Sequence, residues 1–456
     1  MHAIPVQQDH PTPTAPGTSP GKEPMTATTT PTGTTAGTTD STSTAVFERR
    51  ESDVRSYCRS WPVVFERALG AEQTTEDGTT YLDFFSGAGA LNYGHNHPAL
   101  KRALQDYLAQ DTVVHAMDMF TPAKRDFLLA LEELVLRPRG MGHKVQFPGP
   151  TGTNSVESAL KVARKATGRT DVVSFTNAFH GMTLGSLAVT GNSLKREGAG
   201  TPLYHSMTAP YDDYLDGRTP DLHWLERVWA DSGSGVALPA AVIVETVQGE
   251  GGLNAARAEW LRALADLCRR FEVLLIVDDV QAGCGRTGTF FSFEEAGIDP
   301  DIICLSKSLS GLGLPFAVTL LRPELDQWEP GEHNGTFRGF NPAFVTATAA
   351  LREFWSDDTF AETVRQRGAR LREGLERIGA EAGGAAYRGR GLLAGLAFED
   401  LSRAERVAAA AFDRGLLVET SGPDSEVVKL MPPLTVTEEE LDRGLQLLAE
   451  AVRATA

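Results

Sequence analysis

Four short apolar runs punctuate the middle of the chain: Val172-Val173-Ser174-Phe175, Ala241-Val242-Ile243-Val244, Leu274-Leu275-Ile276-Val277 and Ile302-Ile303-Cys304-Leu305. Each has the length of a strand and lacks the polar alternation of a half-exposed one, so both faces are expected to be covered. Between them the spacing changes. Val156, Ala159, Leu160 and Ala163, and again Leu261, Leu264, Leu267 and Cys268, fall on one face of a helix. Asn154, with Glu157 three residues on, predicts a capping box at the start of the first of these helices. Strand and helix signals in alternation predict an α/β protein with a mostly parallel sheet.

The two ends are patterned differently. Trp61 to Phe65 and Tyr81 to Phe85 read as short strands around the turn Glu76-Asp77-Gly78. Near the C-terminus one helical pattern carries Val364, Leu371, Leu375 and Ile378. A last one, opened by Thr437 with Glu440, carries Leu441, Leu445, Leu448 and Val452. Strands are expected between them near Leu392 to Phe398 and Val427 to Met431, which makes a separate α+β lobe. The first 45 residues are rich in Thr, Pro, Gly and Ser, as in Thr26-Ala27-Thr28-Thr29-Thr30-Pro31-Thr32-Gly33. Such a segment buries too little surface to offset its conformational entropy and is expected to be a disordered tail.

Composition narrows the partners. The 456 residues suffice for two or more lobes with a substantial core. A formal charge of -17 opposes binding to nucleic acid or an anionic membrane, so small molecules are the expected ligands. Cys58, Cys268, Cys284 and Cys304 are scattered without CxxC spacing, which suggests neither a disulfide framework nor a zinc site. The sequence shows no apolar run long enough to span a bilayer and no secretion signal, so the expected location is cytoplasmic.

The candidate chemistry lies at the ends of two apolar runs. One closes in Asp278-Asp279 and the other is followed by Lys307. Parallel strands would bring such a carboxylate and such an amine to one end of a sheet, where α/β proteins bind ligands. The pairing suits pyridoxal phosphate, because an amine can hold its aldehyde and a carboxylate can keep its ring nitrogen protonated. Alone, a solvated loop lysine and a strand-end cap explain the pair as well. Pro150-Thr151-Gly152-Thr153-Asn154 leads into a helix, where free N–H groups can meet a phosphate or simply be capped. Phe179-His180-Gly181 follows a strand and can offer a ring to a flat cofactor or to the core. Gly283-Cys284-Gly285-Arg286-Thr287-Gly288 matches GxGxxG, but a poor helix start follows it, so a dinucleotide site is rejected. His95-Asn96-His97 reads as a turn and no metal site is expected.

As a set these residues resemble the class III aminotransferases, pyridoxal phosphate enzymes of fold type I. Phe147-Pro148-Gly149-Pro150-Thr151-Gly152-Thr153-Asn154, Phe179-His180-Gly181, the stretch Asp278 to Gly288, and Ser306-Lys307 stand in that family's order and spacing. Val54-Arg55-Ser56-Tyr57-Cys58-Arg59, Gly87 to Asn96 and Glu332 to Gly339 look most like the branch that makes 2,4-diaminobutyrate for ectoine. The resemblance implies a large cofactor-binding domain over residues 101–345. It implies a smaller α+β domain built from both chain ends, residues 46–100 and 346–456, with the tail at 1–45.

The resemblance also implies roles. Lys307 would carry the cofactor aldehyde and shuttle the substrate proton, and Asp278 would pair with the pyridinium nitrogen. Phe179 and Val280 would sandwich the ring, and Gln281 would reach its phenolic oxygen. Gly152 and Thr153 would hold the phosphate, with Thr336 doing so from a neighbouring subunit. The site would then need a homodimer or a higher homo-oligomer. Arg55, Arg338 and Lys429 are the candidates for a distal substrate carboxylate. Lys429 replaces an arginine of the ornithine and GABA enzymes, and a lysine offers a point charge without a planar fork. Glu250 resembles the glutamate that pairs with that arginine, and is expected to release Lys429 for 2-oxoglutarate. Asp279 stands where many relatives have glutamate. The implied reaction passes the amino group of L-glutamate to L-aspartate 4-semialdehyde, giving 2-oxoglutarate and L-2,4-diaminobutyrate. The alternatives are an ornithine or GABA type of transaminase, an aminomutase, and a binding protein that has lost catalysis.

Overall fold

The computed structural model describes residues 44–215 and 222–456. Of the tail expected over residues 1–45, all but Thr44 and Ala45 lie outside the described residues, and Ala45 already opens a helix, Ala45–Arg50.

The four apolar runs form the middle of a seven-stranded sheet, in the order Lys144–Gln146, Val318–Leu321, Ile302–Leu305, Leu274–Asp278, Ala241–Val244, Val172–Phe175 and Ser206–Ala209. From Ile302–Leu305 to the Ser206–Ala209 edge the strands are parallel, and the Val318 and Lys144 strands are added antiparallel. Helix Gly152–Thr167 covers one face, packing Val156, Leu160 and Ala163 with Ile243, Ile276 and Ile302. Helix Ala258–Arg270 belongs to the cover of the other, where Leu261, Leu264 and Leu267 join Val242, Leu275 and Ile303. Cover on both sides is why these strands carry no polar alternation.

The first helix starts earlier than its predicted box. Thr151 precedes it, and Asn154 Oδ1 accepts from the Thr151 N–H at 3.2 Å and hydroxyl at 2.8 Å. Glu157 is instead turned to a neighbouring helical segment, where its Oε1 accepts from the N–H groups of Gly185 at 2.9 Å and Ser186 at 3.1 Å. Asn154 is thus the first-turn partner of a cap and not the cap. The final helix, Glu438–Ala454, begins as expected: Thr437 Oγ1 accepts from Glu440 N at 3.1 Å, and Glu440 Oε2 from Thr437 N at 2.8 Å.

The chain ends meet. The turn at Glu76-Asp77-Gly78 joins Glu72–Thr75 to Thr80–Asp83, a further strand is Phe65–Leu69, and Leu416–Leu417 pairs parallel to Thr80–Asp83. Trp61 to Val64 stays outside these strands. Another sheet runs Ala386–Arg390, Leu393–Ala397, Val427–Leu430, Glu419–Ser421. Leu371, Leu375 and Ile378 pack with Leu441, Leu445 and Leu448 and with Leu82 and Phe84 in one core. The Gly283 to Gly288 stretch is a turn that carries Arg286 inward. The fully buried guanidinium donates to Asn92 Oδ1 and to the carbonyls of Leu392 and Pro432, tying this turn to both chain ends. Among the described residues no helix is long and apolar enough to cross a membrane.

Candidate active site

Strand register brings the predicted pair together. Asp278 closes its strand opposite Cys304 of the parallel neighbour, and Lys307 follows that neighbour's last residue, Leu305, by two. Asp278 and Lys307 line one cavity of ≈ 500 Å³ together with Gly152, Thr153, Phe179, Val280, Gln281 and Glu250. Among the expected residues, Arg55, Arg338, Thr336 and Lys429 are not part of this lining.

Lys307 Nζ donates to the carbonyl of Ala88 at 2.8 Å. Loss of hydration pushes its pKa below the usual lysine range, although the Glu250 charge pulls the other way. The Ala88 carbonyl also accepts from Gln281 Nε2 at 3.1 Å. It is presented by an unusual backbone: Ser86, Gly87, Ala88 and Gly89 have φ of 49, 58, 56 and 82° in succession. L-residues avoid such left-handed turns by about 1–2 kcal/mol each, so the run must be held from outside. Asp83 Oδ1 accepts the N–H groups of Phe85 and Ser86 at 2.8 Å each, and Ser308 Oγ donates to Gly89 O at 2.6 Å.

Asp278 is held by a residue to which the sequence reading gave no role. His180 Nδ1 lies 2.7 Å from Asp278 Oδ2, and Asp278 Oδ1 accepts from Val280 N at 3.1 Å. Burial works against charge on His180, but the bond and charge of Asp278 outweigh it and hold its pKa above the usual value. Glu245, also on the cavity wall, accepts from Phe179 N at 2.9 Å, and burial pushes its pKa up to about 7. His180 sits within a motif already singled out. Glu245 follows directly on an apolar run, as Asp278 does, and that position was its signal.

Gly152 is required by close approach, since a Cβ there would come within 2.8 Å of Val280 Cγ1. Thr153 Oγ1 lies 2.7 Å from Thr183 Oγ1 and 2.5 Å from Ser186 Oγ. The ring centroid of Phe179 lies 4.3 Å from Lys195 Nζ.

The expected Glu250–Lys429 pair forms at 2.8 Å, and a second carboxylate, Glu419, lies 2.8 Å from the same ammonium. Glu419 was missed because its strand, Glu419–Ser421, was missed. Arg55 is turned onto its own segment, with Nη1 on the carbonyls of Glu51 at 3.1 Å and Ser52 at 3.2 Å. Arg338 Nη1 donates to Asn334 Oδ1 at 3.1 Å. Thr336 is exposed, and its carbonyl lies 2.6 Å from His115 Nε2.

Residues 55–452 match the family model described as "Aminotransferase class-III". The chain is 64% identical over 412 residues to a protein of Streptomyces anulatus named diaminobutyrate--2-oxoglutarate transaminase, covering 90% of this chain and 98% of the relative. It is 62% identical over 409 residues to a protein of the same name from Nocardia farcinica, covering 90% and 94%. Among solved structures, the ornithine aminotransferase of Toxoplasma gondii, with partial occupancy of PLP at its active site, aligns with a TM-score of 0.77 at 26% identity, covering 90% of this chain and 94% of that one.

Proposed function

The chain belongs to the class III aminotransferases, and from that premise we propose that it moves an amino group from L-glutamate to L-aspartate 4-semialdehyde, giving 2-oxoglutarate and L-2,4-diaminobutyrate, with pyridoxal phosphate as cofactor. The named relatives support the substrates, and the Toxoplasma enzyme supports the cofactor. The observation that carries the reading is the placement of Asp278 and Lys307 at neighbouring strand ends on one cavity.

The residues present fit the cofactor. Gly152 keeps open a space that a side chain would close against Val280, beside the start of a 16-residue helix whose free N–H groups favour an anion. Gly152 and Thr153 would hold the phosphate, Phe179 and Val280 would flank the ring, and Gln281 would meet its hydroxyl. When bound, pyridoxal phosphate supplies a ring that spreads the charge left on a substrate carbon after it loses a proton. Lys307 would anchor the cofactor and, once the substrate's amine has displaced it, its freed Nζ would take that proton and return it, a task suited to an amine lowered by burial. Asp278, fixed by His180, keeps negative charge against the ring nitrogen. Glu250 covers Lys429 and moves aside for the distal carboxylate of glutamate or 2-oxoglutarate.

A second copy of the chain completes the site in this reading. Met117, Met119, Phe120 and Phe337 are exposed large hydrophobics, Phe120 at 99%, as at a surface that a partner covers. Thr336 adjoins Phe337 and would reach the partner's phosphate. The test of the reaction is direct: purified protein with glutamate, aspartate semialdehyde and pyridoxal phosphate is assayed for diaminobutyrate. Faster turnover of ornithine or 4-aminobutyrate than of diaminobutyrate in the reverse direction would replace this reading with the alternative.

A further inference from the structure

Lys429 is the most heavily committed cation of the site. Its side chain is 0% exposed, and its ammonium meets Glu250 Oε1 and Glu419 Oε1 at 2.8 Å each and the carbonyl of Gly249 at 3.2 Å. The two carboxylates are held in different ways. Glu419 faces Lys429 in register across two antiparallel strands, its side chain is 6% exposed, and its Oε2 accepts the hydroxyl of Tyr57 at 3.2 Å. Glu250 lines the cavity, is 24% exposed, and lies in the Gly249-Glu250-Gly251-Gly252 turn. Glu250, which also accepts from Gln281 Nε2 at 3.2 Å, is the more exposed of the two and the one that lines the cavity, whereas Glu419 is enclosed.

Glu250, Glu419 and Lys429 together carry a net negative charge before any substrate enters, offset only by the charge of Lys307 from the cavity floor. A dicarboxylate that displaces Glu250 brings a third anion to the same buried cation, and like charges in a low-dielectric site oppose ionisation. Resting on the reading that Lys429 receives that carboxylate, we propose that Glu419 takes up one proton from solvent when glutamate or 2-oxoglutarate binds, so that dicarboxylates enter as proton-coupled ligands. Diaminobutyrate brings a second ammonium and needs no such proton.

The surroundings single out Glu419. It is faced by Lys429 from the adjacent strand, Tyr57 from the N-terminal segment, Glu250 from the glycine turn and Lys307 from the cavity floor. Burial pushes its pKa up despite Lys429. Burial acts on Glu250 in the same direction, but Lys429 and Lys307 outweigh it and hold that carboxyl down at about 2.

The experiment is calorimetry of glutarate, an unreactive dicarboxylate, binding to the holoenzyme in phosphate and in Tris, whose ionisation heats differ. The expected result is uptake of about one proton per ligand at pH values above the titration of Glu419 in the ligand-free enzyme, with affinity falling about tenfold per pH unit there. Glu419→Gln is expected to remove both the uptake and the slope. Tyr57→Phe, which takes away only the hydroxyl that favours the charged form, is expected to move the fall in affinity to higher pH while the slope remains. Glutarate binding without proton uptake in the unaltered enzyme would overturn the proposal, and so would undiminished uptake in Glu419→Gln. Should Lys429→Met bind glutarate as tightly as the parent enzyme, the reading of Lys429 as the carboxylate site fails first, and the proposal with it.

Discussion

The floor of the cavity and the wall at Glu250, with Lys429 and Glu419 behind it, both bury charge, and they do so in opposite ways. On the floor, Asp278 alone bonds to His180, Glu245 acting on that imidazole only through its charge, and the Asp278 carboxylate is fixed by the end of a central parallel strand. On the wall, Glu250 and Glu419 share Lys429, and the three come from a glycine-rich turn and two strands of a smaller sheet. A single pair between rigid elements has one arrangement. A cation with two competing anions has several of similar energy, provided that one anion can move. In the proposed reaction the floor would serve the chemistry that does not change between the two half-reactions, and the wall the ligands that do.

The strongest way to break this contrast is to remove the floor's amine. Lys307→Ala is expected to lower kcat with glutamate by about 10³-fold or more, in the range for loss of a positioned base. Transaminase turnover within tenfold of the parent would end the assignment. Lys429→Met tests the wall and is expected to act on stability as well as on substrate. It leaves Glu250 and Glu419 without their cation, which costs about 3 kcal/mol, the low end for a broken buried pair because Glu250 is partly exposed. Urea unfolding reads this, and the loss is expected to shrink toward acid pH as the carboxylates protonate.

A third substitution separates the floor's working carboxylate from its neighbour. Asp279 is buried with Oδ1 unpartnered, and burial pushes its pKa up to about 7. A carboxyl raised in the folded state costs stability as pH climbs from its unfolded value to its folded one, because over that window only the native state keeps the proton. Asp279→Asn is accordingly expected to gain melting temperature relative to the parent between about pH 4 and 7, then to hold that gain. A constant difference across that window would show that Asp279 carries no such shift.

What could be read from the sequence divides along the same line. The strands that carry Asp278 and precede Lys307 announce themselves because cover on both faces demands unbroken apolar runs. The cavity floor follows from their parallel register. The wall was half legible: Glu250 and Lys429 stand in recognisable surroundings, but Glu419 lies on a three-residue strand with a buried polar residue at each end, which no periodicity reveals. His180 was visible as a letter in a motif, yet its bond to Asp278 spans 98 positions and depends on the tertiary fold. The N-terminal strands were displaced for a related reason. Phe65–Leu69 is mostly exposed and Glu72–Thr75 is polar, so neither has the apolar signature on which the reading relied.

The mirror-handed backbone from Ser86 to Gly89 has a consequence for how the catalyst is held together. An isolated peptide of this sequence would uncoil, because its own chirality works against it and its braces, Asp83 apart, lie far along the chain. The Ala88 oxygen that receives the Lys307 amine is therefore held in place in part by Ser308, from the distant half of the polypeptide. The seat of the Lys307 amine thus depends on a contact between residues 219 positions apart in the chain.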